Sequence, residues 1–154
     1  MSCNPSLAPA DGDVADGLPG AGAARGPAGP QGAWALVADD NRLNSRLLEI
    51  LLGRLGLQVR SVESGRLALA LLAEQTFDLV VLDLRMADVG GEQVCRAIRE
   101  QRRLQQLPVV AYTAHCMPEE RGRILAIGFN GLLIKPVSFA DVKSLCSDML
   151  GWTP

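Results

Sequence analysis

The residues best suited to chemistry are an acidic pair, Asp39-Asp40, followed by Asp83, Thr113 and Lys135. Each lies at or just past the end of a short apolar run. Because the carboxyl ends of strands in an open parallel α/β sheet converge on one crevice, we expect these side chains to meet there. Three neighbouring carboxylates stay ionised only beside a cation, and oxygen-only ligands suit Mg²⁺. The sequence therefore predicts a phosphoryl-accepting aspartate at a magnesium site.

Five short strands, each followed by a helix, are needed to position these residues. The predicted strands cover residues 34–38, 57–62, 79–82, 108–112 and 132–134, and the helices begin near residues 41, 64, 92, 118 and 138. Only the second strand alternates apolar and polar residues as an edge strand does, whereas the third is continuously apolar and is expected to be buried on both faces. Right-handed crossovers then favour a flavodoxin-like (βα)5 three-layer sandwich with a parallel five-stranded sheet in the order 2-1-3-4-5.

The spacing of apolar residues predicts which helix faces pack on the sheet. The sets are Leu43, Leu47, Ile50, Leu51 and Leu55 in the first helix, Leu67, Leu71 and Leu72 in the second, and Val142, Leu145, Cys146, Met149 and Leu150 in the last. Gly56 and Gly128 are expected to end the first and fourth helices, and Ser138 with Asp141 resembles a capping box at the start of the last.

Composition limits the classes of function that are open to the chain. Its 154 residues suit one domain, and with 48% hydrophobic but only 4% aromatic residues the core must be aliphatic. The net charge of -2 gives no broad basic surface, so direct contact with nucleic acid is not expected. No apolar run is long enough to span a bilayer, and no signal peptide is recognisable, which favours a cytoplasmic location without membrane contact.

The four cysteines are Cys3, Cys95, Cys116 and Cys146, and their wide spacing with a single histidine makes a zinc site improbable. Cys95 and Cys146 are expected to be reduced thiols packed in the core. Residues 1–32 are rich in Gly, Pro and Ala and are predicted to be a flexible tail or linker. The folded domain is expected to cover residues 33–151, with residues 152–154 as a short tail.

The motifs together resemble one known family. The sequences Val37–Asn41, Leu82–Met86, Tyr112–Ala114 and Lys135-Pro136 are similar to those of the receiver domains of two-component response regulators, and in particular to the receivers of hybrid sensor histidine kinases. The resemblance covers about residues 34–150. The spacings also agree, with 43 residues from Asp40 to the acidic residue of the second motif, 30 more to the threonine and 22 more to the lysine.

This resemblance implies a metal site built from four residues. Asp40 and Asp83 would bind Mg²⁺ directly, Asp39 would bind it through water, and the backbone carbonyl of Arg85 would be a further ligand. Mg²⁺ commonly keeps several waters and shares its shell with phosphate oxygens.

The resemblance also implies the roles of the remaining site residues. Asp83 would be the phospho-acceptor and would act as the nucleophile. Lys135 would pair with Asp83 and then with the phosphoryl oxygens, and Thr113 would hydrogen-bond a phosphoryl oxygen and move inward as it does so. The Lys135-Pro136 bond would be cis, which fixes where the lysine emerges.

Two departures from the family pattern bear on signalling and on loop stiffness. Receivers usually carry an aromatic residue three positions before the lysine, where this chain has Leu132. Leu132 is expected to fill the space that the threonine vacates, or Tyr112 to take some part. Met86 is followed by Ala87 rather than Pro, and Gly90-Gly91 replaces the usual Asp-Gly, which changes the stiffness of the loop rather than the chemistry.

Arg85 and His115 stand two residues after the acceptor and the threonine. In the family such positions tune the phosphoryl lifetime by controlling water access, and we hypothesise that both side chains screen the phosphoryl group. Alternatively, both are solvated surface residues.

The leading interpretation is a phosphorelay signalling domain that takes a phosphoryl group from a histidine kinase or a histidine phosphotransfer domain and signals through a downstream protein partner. It is not expected to be a turnover enzyme. The domain is either detached from a hybrid kinase, whose membrane-bound form would place it on the cytoplasmic side, or a free-standing regulator.

Two other functions stay open. One is a degenerate receiver that only binds proteins. The other is a magnesium-dependent aspartate-nucleophile phosphatase, although Arg85 occupies the position of its second carboxylate. Singly, each residue also has a plain structural interpretation, such as Asp40 acting as a helix cap.

Overall fold

The computed structural model describes residues 32–114 and 117–151 and shows five parallel strands with helices on both faces. The strands are β1 (Trp34–Ala38), β2 (Gln58–Val62), β3 (Leu79–Asp83), β4 (Val109–Thr113) and β5 (Gly131–Ile134). The helices are α1 (Arg42–Arg54), α2 (Gly65–Glu74), α3 (Gly91–Glu100), α4 (Pro118–Ile127) and α5 (Phe139–Leu150).

The strand order β2-β1-β3-β4-β5 confirms the predicted topology. All five residues of β3 are buried, as its continuous apolar sequence predicts for a strand between two others. In β2 every residue is exposed or only partly buried, and this strand forms one edge of the sheet. The order of connection reverses between β1 and β3, which are direct neighbours from Ala35 opposite Leu79 to Ala38 opposite Leu82.

Two largely aliphatic cores lie on opposite faces of the sheet. One packs α1 and α5 against β1, β3 and β4, and the other packs α2, α3 and α4 against alternate residues of the same strands. Cys95 and Cys146 are buried free thiols, as predicted, and burial raises the pKa of their thiols to about 11 and about 12. Neither thiol is therefore ionised at neutral pH.

The predicted buried face of α1 was partly wrong. Leu43 is 81% exposed and Ile50 49%, whereas Leu48 and Leu52 are buried. In α2, Leu67 is likewise exposed, and the core contact comes from Ala68 and Leu72. Leucines lie on more than one side of these helices, so periodicity alone could not identify the side that meets the sheet. In α5 the prediction held, with Val142, Leu145 and Cys146 buried.

Most predicted helix boundaries agree with the structure. Ser138 and Asp141 form the predicted capping box of α5, α4 begins at Pro118, and Gly56 ends the first helical unit with a φ of 98° that favours glycine. After α3 ends at Glu100, a 3₁₀ turn covers Arg102–Leu104.

Several predictions fall on residues outside the described ranges. These are residues 1–31 of the predicted tail, His115, two of the four cysteines and residues 152–154. Within the described ranges, no helix combines the length and the apolarity needed to cross a membrane.

Two helical glycines predict opposite effects of the same substitution. A Cβ at Gly65 would overlap the Val89 carbonyl oxygen and lie 2.9 Å from Val94 Cγ2, whereas nothing lies within 4 Å of a Cβ at Gly53. We expect Gly65→Ala to lower the free energy of unfolding by about 1–3 kcal/mol. Gly53→Ala should raise it by about 0.5–1 kcal/mol, because alanine favours the helix.

Urea unfolding followed by circular dichroism measures both effects. Equal effects of the two alanines would contradict the close approach of α2 to the Val89 loop.

Candidate functional site

The predicted metal-binding, acceptor, threonine and lysine residues lie at the carboxyl edge of the sheet. Asp39 directly follows β1, Asp83 is the last residue of β3, and Thr113 is the last residue of β4. Lys135 directly follows β5, where its N–H donates to the Thr113 carbonyl oxygen at 2.8 Å. The site therefore forms at the point where the strand order reverses, as the sequence predicts.

A single ammonium bridges the two buried carboxylates. Lys135 Nζ lies 3.3 Å from Asp39 Oδ2 and 3.5 Å from Asp83 Oδ2. Asp39 is fully buried and Asp83 is 5% exposed, so their charges have little access to water. The bond between Lys135 and Pro136 is cis, as the family resemblance implies.

The acidic pair is divided between a buried and an exposed position. Asp39 Oδ1 accepts a hydrogen bond from the Asn41 N–H at 2.8 Å, which fixes the carboxylate at the end of β1. Asn41, and not Asp40, caps α1, because its side chain accepts from the Leu43 and Asn44 N–H groups. The alternative that Asp40 is the helix cap is therefore wrong, and its exposed carboxylate lies at the mouth of the site.

Burial dominates the electrostatics of the Asp83 carboxyl. The pKa of Asp83 is raised from 3.8 to about 6, mainly by burial and also by the charge of Asp39. The Arg85 N–H, which donates to Asp83 Oδ1 at 3.1 Å, and the Lys135 ammonium act in the opposite direction. At neutral pH Asp83 is ionised, but it carries an unfavourable charge that a cation would relieve.

The carboxylates can serve one small hard cation. Oxygens of Asp39, Asp40 and Asp83 all lie within 4.8 Å of one another. Asp39 Oδ2 is buried and accepts no hydrogen bond from any described residue, so its approach to Lys135 is an ion pair without hydrogen-bond alignment. An all-oxygen donor set with an unsatisfied buried oxygen fits Mg²⁺.

Two of the residues predicted to tune the site lie on opposite faces of the sheet. Leu132 packs in the core with α3 and α4, whereas Tyr112 belongs to the core with α1 and α5. Thr113 follows Tyr112 in the strand and so faces the Leu132 side. Tyr112 therefore does not occupy the place of the missing aromatic residue. Arg85 is exposed in the loop after β3.

Two contacts at the site were not foreseen from the sequence. The ring of Tyr112 lies 4.8 Å from Lys135 Nζ, measured to the ring centroid. Asp88, in the loop that follows Asp83, accepts from the N–H groups of Gly65 and Arg66 at the start of α2, both at 3.2 Å. This clamp spans more than 20 residues of sequence, and only the packing of α2 beside the loop reveals it.

Comparison with known proteins identifies the family. Residues 35–146 match the family model of the response regulator receiver domain.

This chain belongs to the response regulator receiver domain family.

Its receiver is similar to parts of hybrid sensor kinases. It is 37% identical over 121 residues to the sensor protein GacS of Pseudomonas syringae pv. syringae, an alignment that covers 77% of this chain and 13% of that protein. It is 33% identical over 110 residues to the histidine-protein kinase BarA of Escherichia coli K12, covering 71% and 12% of the two chains. The receiver thus spans about an eighth of the length of these curated relatives.

Solved receivers share the fold. The receiver domain of a sensor histidine kinase from Pseudomonas aeruginosa, solved with magnesium coordinated in its active-site cleft, is 29% identical with a TM-score of 0.72, covering 78% of this chain and 98% of that one. A histidine kinase receiver from Syntrophus aciditrophicus is 26% identical with a TM-score of 0.71, covering 77% and 90%. Receiver domains bind Mg²⁺ at an acidic site, and this receiver has the corresponding cluster of acidic residues.

The raised pKa of Asp83 predicts how the stability of the metal-free receiver depends on pH. Between about pH 4 and pH 6 the folded carboxyl holds a proton that the unfolded carboxyl has lost, so this contribution to stability falls as the pH rises. Asp83→Asn should therefore be more stable than the native receiver at pH 7, by about 1–2 kcal/mol after allowing for solvent screening. The difference should vanish near pH 4.

Urea unfolding in chelator at several pH values measures this difference. Asp148→Asn, at an exposed position of α5, is the matched control that removes one surface carboxylate. A stability difference for Asp83→Asn that stays constant from pH 4 to pH 7 would contradict the burial of an ionised carboxylate.

Proposed function

We propose that this receiver accepts a phosphoryl group on Asp83 from a phosphohistidine, with Mg²⁺ bound beside it. The observation that carries the proposal is the Lys135 ammonium, which lies within 3.5 Å of a carboxylate oxygen of both Asp39 and Asp83. If Lys135 were only a solvated loop residue, its ammonium would not be expected to lie beside two buried carboxylates at the end of a sheet. A phosphoryl oxygen arriving at Asp83 would meet this cation directly.

Four groups would hold the metal. Carboxylate oxygens of Asp39, Asp40 and Asp83 and the backbone carbonyl of Arg85 are the proposed ligands, with Asp39 acting through water. Oxygens of the three carboxylates lie within 4.8 Å of one another, and Mg²⁺ commonly keeps several waters through which a carboxylate can be held. When bound, Mg²⁺ would neutralise the carboxylates and shield the charge of the incoming phosphoryl group.

The proposed transfer exchanges one bond to phosphorus for another. An oxygen of ionised Asp83 attacks the phosphorus, a P–O bond forms, and the P–N bond to the donor imidazole breaks with its electron pair leaving on nitrogen. Lys135 stabilises the phosphoryl oxygens, and Thr113 holds one of them after the transfer. Positioning and electrostatic stabilisation account for most of the catalysis in such transfers.

Signalling would begin at the end of β4. Thr113 shares a backbone hydrogen bond with Lys135, so a shift of its side chain toward the phosphoryl group acts on the β4 and β5 ends together. Leu132 stands where receivers usually have an aromatic residue. Its aliphatic side chain would fill the neighbouring space and repack when Thr113 moves.

The donor and the output are proteins. A histidine kinase or a histidine phosphotransfer domain is the proposed donor, and a downstream protein reads the altered surface. The similarity to GacS and BarA supports a receiver from a hybrid kinase, and a free-standing regulator remains the other version. In either case Asp83 would accept one phosphoryl group at each activation, and the receiver would not convert a substrate continuously as an enzyme does.

The test is the intact mass of the protein after incubation with Mg²⁺ and acetyl phosphate. We expect one added phosphoryl group, which is absent with Asp83→Asn or chelator and retained with the surface control Asp148→Asn. A beryllium fluoride complex with Mg²⁺ provides a second readout if the adduct hydrolyses quickly.

Other outcomes would identify other functions. Continuous release of phosphate without an adduct would support the phosphatase alternative. The absence of adduct, beryllium fluoride complex and Mg²⁺ binding together would support a receiver that only binds proteins, and would overturn the proposal.

The screening role of Arg85 and His115 gives a separate prediction. If both side chains exclude water, Arg85→Ala and His115→Ala should each shorten the phosphoryl lifetime by about two- to tenfold. Loss of the adduct after removal of the donor measures this lifetime. Arg96→Ala, an exposed arginine of α3, is the control, and a lifetime unchanged in both test variants would refute the role.

A further inference from the structure

We propose that Tyr112 is a positioning residue whose aromatic ring holds the Lys135 ammonium against Asp39 and Asp83. The ring lies 4.8 Å from Lys135 Nζ and supplies a third contact beside the two carboxylates. A cation within about 6 Å of a ring centroid is attracted by the negative face of the aromatic ring. The consequence of this contact for phosphoryl transfer rests on the function proposed above.

Packing makes the ring a fixed surface. Tyr112 is 1% exposed and is the largest fully buried side chain of the described residues. It lies in the core formed with α1 and α5, among the buried residues Val137, Leu133 and Val142. A ring held in this way cannot follow the lysine, so the lysine must adapt to the ring.

The ring rather than the hydroxyl makes the contact. The Tyr112 hydroxyl is buried and has no hydrogen-bond partner among the described residues. Burial, and then the charges of Asp39 and Asp83, raise the pKa of Tyr112 to about 12, so the hydroxyl stays neutral and offers no anion to the lysine. A phenylalanine in this position should therefore serve as well as the tyrosine.

The lysine needs such a surface because its other contacts change during the reaction. Both carboxylates are also the proposed ligands of Mg²⁺, and Asp83 would lose its ionised form once phosphorylated. The anionic partner of Lys135 then changes from the Asp83 carboxylate to the phosphoryl oxygens, whereas its contact with the ring stays the same. Since lysine has a flexible four-carbon stem, the ring restricts where the ammonium can go.

The lysines make this contact directly observable. The chain contains only Lys135 and Lys143, so the full chain labelled with ¹³C-lysine gives two sets of Cε–Hε NMR signals. Protons above a ring are shifted upfield, and we expect this for Lys135 but not for Lys143, for which the described residues show no cation–ring contact. Tyr112→Phe should keep the upfield shift and Tyr112→Leu should abolish it. Lys143→Arg assigns the signals.

Phosphorylation provides the functional readout. At saturating Mg²⁺, Tyr112→Leu should slow adduct formation from acetyl phosphate by about three- to tenfold, the range expected for loss of one cation–ring contact. Tyr112→Phe should stay within about twofold of the native rate, and the Mg²⁺ affinity of both variants should change by less than about twofold. A merely destabilised variant would not show this split between rate and metal affinity.

Each arm has an outcome that overturns the proposal. Native Lys135 signals without an upfield shift would exclude the ring contact, whatever the variants do. A Phe variant as slow as the Leu variant would assign the effect to the hydroxyl instead. If Tyr112→Leu does not fold, Tyr112→Met replaces it. If the native chain forms no adduct, the proposed function fails, and the NMR arm still decides the ring contact.

Discussion

The electrostatics of the site are governed by the burial of two carboxylates that share one lysine. Asp39 and Asp83 are withdrawn from water at the ends of neighbouring strands, and Lys135 is the cation the structure places between them. One positive charge does not balance two negative charges, and burial first, then the charge of Asp39, raises the pKa of Asp83. The site is therefore poised for a further cation or for a change in the charge of Asp83. The proposed Mg²⁺ would supply the missing positive charge, and the phosphoryl group proposed to arrive at Asp83 would bring further negative charge for the same cations to stabilise.

The sheet is what makes this unfavourable arrangement possible. Asp39 directly follows β1 and Asp83 ends β3, and these adjacent strands have fully buried interior residues that pair in fixed register. Lys135 arrives from the far edge of the sheet and is tied by its own N–H to the end of β4. The hydrophobic cores on both faces hold these strand ends in place. The stability that comes from packing these cores therefore offsets the cost of burying the charged groups.

Much of this arrangement could be predicted from the sequence because it depends on position along strands. Apolar runs that end in Asp83, Thr113 or Lys135 specify both the strand and the residue at its tip, and the strand order then follows from general rules of chirality. The buried face of α1 could not be predicted in the same way. Leu43 and Leu48 are both leucines of this helix, yet Leu43 is exposed and Leu48 is buried. The ring contact between Tyr112 and Lys135 also escaped prediction, since it joins side chains whose directions depend on packing.

The clamp between Asp88 and the first N–H groups of α2 has a consequence for exchanging parts between receivers. The loop after Asp83 and the start of α2 are far apart in sequence, yet Asp88 bonds both Gly65 and Arg66, and Val89 leaves no room for a side chain at residue 65. The loop after Asp83 and the start of α2 therefore form one structural unit. A chimera that imports the loop of another receiver would have to import the matching helix start as well, because either half alone brings a mismatched partner to the edge of the site.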